Sequence, residues 1–300
     1  MFWKYEDGPD DAAGFDQPAS KQTVYKTQRP ARSEKGSFML GRNNKRLVGL
    51  LAGCCVLTGC AKDRSFSPPA MNEYVNITVK VPSKMKVTPM KVMYRSNVCK
   101  RASHDGNFNR TEVDGYYSLT VQAKHNEDTD FSEAQLARQG GGQCDWRLSN
   151  VTFAVVYENP TLFGDGVTTV GGGGGGAVVI FDNHNSPQGG ADFVRQGDLL
   201  IKKHYYPWVR EHFLGGYGKD VRLYGGGGLY LMYRSQSAKK VHFEPLVHQG
   251  LVTYSEGPKV KKKGNNPVFT YPDGQVIADG RTEPDLRILE AIRVKAASIH

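Results

Sequence analysis

The sequence contains no apolar run approaching the roughly 20 residues that a membrane-spanning helix requires, which excludes a polytopic helical membrane protein. Glycine does not recur at every third position, so the chain is not collagen-like. Several catalytic signatures are absent: the Gly-x-Ser-x-Gly elbow of hydrolases and the His-Glu-x-x-His pair of zincins. None of the glycine runs continues into Gly-Lys-Ser/Thr, so none has the make-up of a phosphate cradle. No internal repeat is visible, which argues against a propeller or a solenoid. Cysteine is scarce, at 5 residues in 300. What is present is an ordinary globular balance, with 39% hydrophobic and 10% aromatic residues, too much apolar bulk for a wholly disordered chain. The net charge is +9, a mild basicity that bears mainly on solubility. Glycine is plentiful at 35 residues and concentrates in Gly140–Gly142, Gly171–Gly176 and Gly225–Gly228.

The most informative segment lies near the N-terminus. Arg42, Lys45 and Arg46 precede the 12-residue apolar run Leu47–Thr58. A signal-peptide core of about 7–15 residues fits this run, whereas a permanent span does not. Met39 stands just before the basic patch, and residues 1–38 carry prolines and acids with no apolar periodicity. Translation from Met39 is therefore expected, with 1–38 disordered or a start-site artefact and 39–59 the signal.

Leu57-Thr58-Gly59-Cys60 closes the apolar run and resembles the lipobox of bacterial lipoproteins. The resemblance implies cleavage before Cys60 and lipidation of its thiol, and hence a membrane partner through the lipid anchor. Ala61, where an Asp would retain the protein in the inner membrane, implies an outer-membrane lipoprotein facing the periplasm. Nucleic acid is then not an expected partner. Cys54 and Cys55 would leave with the signal, so Cys99 and Cys144 remain in an oxidising compartment, where one disulfide is expected. Two free buried thiols or a Cys–His catalytic pair are the alternatives. Residues 60–72, with Ser65, Ser67, Pro68 and Pro69, are expected to form a lipidated Cys and a polar tether.

From Tyr74 the apolar period becomes two. Val75, Ile77, Val79 and Val81 alternate with polar residues, as do Tyr117–Ala123, Val151–Tyr157 and Leu229–Tyr233. Ala177–Phe181 is continuously apolar and predicts a strand buried on both faces. Val268–Tyr271, Pro272-Asp273-Gly274 and Gln275–Ile277 have hairpin chemistry. Thr282 and Asp285 predict the start of a helix whose stripe is Ile288, Leu289, Ile292, Ala296 and Ile299. The fold class expected is mostly β: a β-sandwich or two small β-domains with a C-terminal helix. The domains would be 73–160, carrying the disulfide, and 161–300, unless both form one domain. Gly171–Gly176 is expected to be a flexible or tightly turning loop, and Gly225–Gly228 a hairpin connection.

Three segments qualify as candidate sites. Asp182-Asn183-His184-Asn185 offers a carboxylate and an imidazole for general-base or metal work, but reads first as an Asx-rich turn. His204–Phe213, with Tyr206 and Trp208, offers aromatic anchors for a protein partner or for cell-wall sugars, or else core. Lys261, Lys262 and Lys263 offer a cationic rim for an acidic partner or for lipid headgroups, or else a solvated loop. The function expected is non-enzymatic binding of a periplasmic protein, with no cofactor, no metal and no catalytic residue. The order of lipobox, tether and β-rich body is similar to that of immunity lipoproteins that neutralise lipases of type VI secretion systems. The alternatives are a structural envelope lipoprotein contacting the cell wall or an assembly machine, and a hydrolase using Asp182 and His184.

Overall fold

The computed structural model describes residues 63–126 and 128–298. The lipobox, Cys60 and the expected signal at 39–59 lie outside the described residues, as do residues 1–38. The chain is mostly β, with two sheets and one C-terminal helix, consistent with a β-sandwich. The strands are β1 (Tyr74–Lys80), β2 (Met85–Val87), β3 (Met90–His104), β4 (Arg110–Val121), β5 (Lys124–Asn126) and β6 (Phe131–Ala137). Then follow β7 (Gln139–Gly141), β8 (Trp146–Tyr157), β9 (Thr168–Gly174), β10 (Gly176–Ile180), β11 (Phe193–Val194) and β12 (Leu199–His212). The last are β13 (Gly218–Tyr224), β14 (Tyr230–Arg234), β15 (Lys240–Val247), β16 (Thr253–Glu256), β17 (Val268–Thr270) and β18 (Val276–Ile277), before helix α1 (Leu286–Ala297).

One sheet runs β18-β17-β16-β12-β15-β1-β6-β5, with β13 added to β12 and β9 to β13. The other runs β11-β14-β10-β8-β3-β4, with β2 and β7 added to β8. Each sheet draws strands from both sides of residue 160: β1 pairs with β15, and β8 pairs with β10. Segments 73–160 and 161–300 therefore share both sheets. Each would leave strand edges unpaired without the other, β1 where it meets β15 and β8 where it meets β10.

The alternation in β1 sends Val75, Ile77 and Val79 into the core between the sheets, where they meet Val92, Val151, Phe153, Ile201 and Phe243. In β10 all five residues are buried. Ala177 and Val179 face the main core, while Val178 and Ile180 pack with Met232 on the opposite face, as the unbroken apolar run requires. Strand β12 divides the apolar interior further. Its first half pairs with β15 and its second half with β13 and β16. Because successive side chains point to opposite faces, Tyr205 and Val209 enter the main core. Tyr206 and Trp208 instead enter a second core with Phe269, Tyr271 and Leu289.

That second core is closed by α1, whose Leu286, Ile288, Leu289 and Ile292 form its inward stripe. The helix begins one turn later than Thr282 implies. Its N-cap is Asp285, whose side chain accepts from Arg287 N at 2.9 Å, because Pro284 disfavours helical geometry in the residue before it. The hairpin at Pro272-Asp273-Gly274 forms as expected, with Gly274 at φ +86° and Phe269 opposite Ile277.

Two glycine runs behave differently from the expectation. Gly225–Gly228 links β13 to β14, which lie in different sheets, so it is a crossing and not a hairpin connection. Gly171–Gly174 belongs to β9, and Gly176 opens β10. A Cβ on Gly174 would lie 1.9 Å from Leu223 O, and one on Gly176 would lie 2.3 Å from Phe153 O. These glycines permit close backbone approach and are not a flexible loop.

Candidate functional site

The parallel strands give the body two ends. β1, β15 and β12 run in one direction, and Ile77, Val241 and Leu199 lie level with one another. The end at which these strands begin also holds Asp63–Ser67, the first described residues. β12 then runs 14 residues, about 45 Å at the usual strand rise, to His212 at the opposite end.

At the first end the expected polar tether is a docked segment. Ser67 N donates to Gly140 O at 2.9 Å, and Trp146 Nε1 donates to Arg64 O at 3.3 Å. The Phe66 ring meets Tyr94 edge-on at 4.8 Å and stacks on Tyr117 at 5.3 Å. The glycines of β7 make room for it: a Cβ on Gly140 would lie 2.3 Å from the Phe66 ring, and one on Gly141, at φ +59°, 2.2 Å from Ser67 O. Polarity alone had suggested a free tether, but a single aromatic residue facing a run of glycines fixes it in place. Beside this groove Cys99 and Cys144 form a disulfide with Cα atoms 5.2 Å apart. It joins the far part of β3 to the turn that enters β8. Ser96 Oγ accepts from Cys99 N at 2.9 Å and donates to Cys144 O. A closed loop of this length stabilises a fold by about 4 kcal/mol in the chain-entropy model.

Asp182 and His184 do come together, with a third residue far away in sequence. His184 Nδ1 lies 3.1 Å from Asp182 Oδ2, and Nε2 lies 3.3 Å from Asp114 Oδ2 on β4. Asp182 Oδ1 also accepts from His184 N at 2.9 Å, which is the Asx turn read from the sequence. The Lys100 ammonium holds the Asp114 carboxyl below the usual carboxylate range. Both ring nitrogens of the imidazole lie within hydrogen-bond reach of a carboxylate, one on the turn and one on β4. Its evident role is to tie the 182–185 turn to β4. Arg234 Nη2, which donates to His184 O at 3.1 Å, supports the same turn. Among the described residues no group of three or more His, Cys, Asp or Glu is placed to hold a metal ion.

Tyr206 is fully buried and Trp208 nearly so, at 0% and 5% exposure. The expectation that they anchor a partner is corrected: they are core. Trp208 Nε1 donates to Ser255 Oγ at 2.8 Å, and the Tyr206 ring stacks on His248 at 5.0 Å. Burial, and after it the Glu290 carboxylate, raise the Tyr206 phenol. Behind them His204 Nδ1 and His248 Nε2 approach to 2.7 Å, a contact that needs one donor and one acceptor. Burial, then His204 and Arg293, push the His248 imidazole down.

The opposite end differs in character. Two connections meet there: the turn after β12 and the loop between β16 and β17. Gly257 N donates to Glu211 O at 2.8 Å, and Lys259 Nζ sits 5.0 Å over the Phe213 ring. Asn265 closes the second loop, its N donating to Lys262 O at 3.0 Å and its Nδ2 to Val260 O at 3.1 Å. Lys261, Lys262 and Lys263 are exposed and form no ion pair among the described residues. Beside them stand Tyr217, Val260 and Leu214, exposed at 68%, 62% and 44%. A shallow cavity of about 480 Å³ opens between Gly257–Val260 and Asn265–Val268. Below this end, Asp220 is buried between two arginines, with Arg210 Nη2 at 2.9 Å and Arg222 Nε at 2.7 Å.

The lysines were legible in the sequence, whereas Tyr217, Val260 and Leu214 were not. Only the adjacency of two separate connections makes those three residues one surface. No protein-family model, curated protein or solved structure matches the chain. The functional reading therefore rests on this chain's own residues.

Proposed function

We propose that the protein is a lipid-anchored envelope protein that binds an acidic protein partner through the end farthest from its anchor, and that it is not an enzyme. The anchor would be Cys60, by the resemblance of Leu57-Thr58-Gly59-Cys60 to a lipobox. Cys60 stands three residues before Asp63, and three residues reach at most about 10 Å. The docked Asp63–Ser67 segment would therefore hold the body against the membrane with one end down. The observation that carries the binding half of the reading is the opposite end. Three exposed lysines, without an ion-pair partner among the described residues, share that end with exposed Tyr217, Val260 and Leu214, some 45 Å of strand away from the docked segment. Apolar side chains of this kind supply desolvated contact, and exposed lysines steer an acidic partner. The contacts of His184 to Asp182 and Asp114 tie a turn to a strand, and the reading takes them as structural.

The anchor is tested by fatty-acid labelling. Cys60→Ser should accumulate as an uncleaved precursor without incorporated palmitate. Normal labelling of that variant would contradict the anchored reading.

A further inference from the structure

We propose that the β3–β4 hairpin is a second membrane contact, with its tip residue Phe108 entering the phospholipid interface beside the anchor. The inference rests on the anchored reading of Cys60 and adds to it a surface of the folded body. β3 pairs with β8 only as far as Arg95 opposite Arg147, and beyond that point it continues to His104 with β4 as its partner. The hairpin therefore projects past the end of the sheet where Asp63–Ser67 is docked. Arg64 Nη2 donates to Lys100 O at 3.4 Å, which places the start of the described chain at the hairpin's base. From Lys100 to Asp105 the strand extends about 16 Å farther, beyond the roughly 10 Å that the three-residue step from Asp63 back to Cys60 can reach.

The tip is built to hold an aromatic side chain outward. Asp105 Oδ1 accepts from Asn107 N and from Asn109 N, both at 2.9 Å, and Oδ2 accepts from Asn109 Nδ2 at 3.1 Å. Phe108 sits in this closed loop at φ +62° and is 88% exposed. A bulky residue in the left-handed region is strained, and neither packing nor burial of its ring compensates here. Met71 at 93% exposure and Tyr116 at 52% stand on the same end, with the Arg101 guanidinium 5.2 Å from the Tyr116 ring. Arg64, Arg101 and Arg110 are exposed. Asp114 is paired with Lys100, while Asp105, held by neutral amides at the tip, and Glu112 are the hairpin's exposed acids, set against Arg64, Arg101 and Arg110. Exposed rings flanked by arginines suit the headgroup layer, where an apolar body and a cationic rim are both satisfied. The opposite end is too far along the body to touch the same surface.

The test uses the full lipidated chain in phosphatidylethanolamine–phosphatidylglycerol vesicles with brominated acyl chains. The variant Phe108→Trp adds an indole at the tip, while the body's own Trp146 and Trp208 are buried. Bromolipid should quench the variant's fluorescence at least twofold more than that of the wild type. Equal quenching, with both proteins floating with the vesicles and melting alike, would overturn the proposal and leave the anchor intact. Cys60→Ser in the same flotation assay reports on the anchor alone. If that variant floats as well as the wild type while the tip indole is quenched, the hairpin contact stands and the lipid anchor falls.

Discussion

The two ends of the body use similar material to opposite effect. At one end a glycine run, an aromatic residue and the only disulfide among the described residues fasten the incoming chain to the sheet. At the other end glycines and aromatics stand in open turns, with three lysines that have no counter-ion among the described residues. Where the incoming segment docks, Phe66, Tyr94 and Tyr117 are packed against one another, while the β3–β4 hairpin beyond them leaves Phe108 and Tyr116 exposed. Such a docked segment resists local opening, because each fixed contact would have to be broken together with its neighbours. The open end carries solvated charge and unburied apolar surface, which contributes little to stability and is available to a partner. The contrast teaches that position in the fold, more than residue type, decides whether glycines and aromatics are packed or left exposed.

The largest effect expected from breaking that contrast is at the fastened end. Replacing Cys99 and Cys144 together by Ala should lower unfolding free energy by about 4 kcal/mol in urea titration. A loss below about 1 kcal/mol would mean that the disulfide does not secure this end. Next comes Asp220, the buried carboxylate beneath the open end. Asp220→Ala leaves Arg210 and Arg222 without their shared partner and should cost about 3 kcal/mol, read in the same titration.

A smaller effect belongs to the helix cap. Hydrogen bonding to Arg287 holds the Asp285 carboxyl down at about 2. A carboxyl lowered in the folded state binds its proton less readily there than in the unfolded chain. Its contribution is therefore complete above the ordinary carboxylate range near pH 4 and is lost as pH falls toward about 2. Asp285→Ala should cost about 1 kcal/mol at neutral pH and flatten the acid limb of the stability curve over that window. The smallest stability effect is at the open end itself. Changing Lys261, Lys262 and Lys263 to Ser should alter unfolding free energy by less than about 0.5 kcal/mol. A larger loss would show that these lysines hold the fold.

Much of this architecture could be read from residues alone, for a clear physical reason. Val75, Ile77 and Val79 face one core, and an unbroken run such as Ala177–Phe181 must be buried on both faces, so periodicity reports burial directly. The expected loss of Cys54 and Cys55 and lipidation of Cys60 single out Cys99 and Cys144, and these two pair. What could not be read depends on long-range adjacency. The alternation that assigns Tyr205 to one core and Tyr206 to the other is visible, but the presence of α1 over Tyr206 and Trp208 is not. Their aromatic richness therefore suggested a surface where the fold makes a core. The Asp114–His184 contact joins residues in separate strands and turns, and no local pattern announces it. Phe66 reads as part of a polar tether until Gly140 and Gly141 are placed beneath its ring.

The central claim, that binding belongs to the open end, is tested most directly by photocrosslinking in the intact envelope. A photoreactive side chain would be placed in turn at Tyr217, at Val260 and, as a control, at exposed Leu200 on the flank of β12. The account predicts a discrete adduct with an acidic protein at Tyr217 and Val260, none at Leu200, and a yield reduced at least fivefold when Lys261, Lys262 and Lys263 are changed to Ser. Adducts confined to Leu200, or yields at Tyr217 and Val260 unchanged by the lysine substitutions, would contradict it.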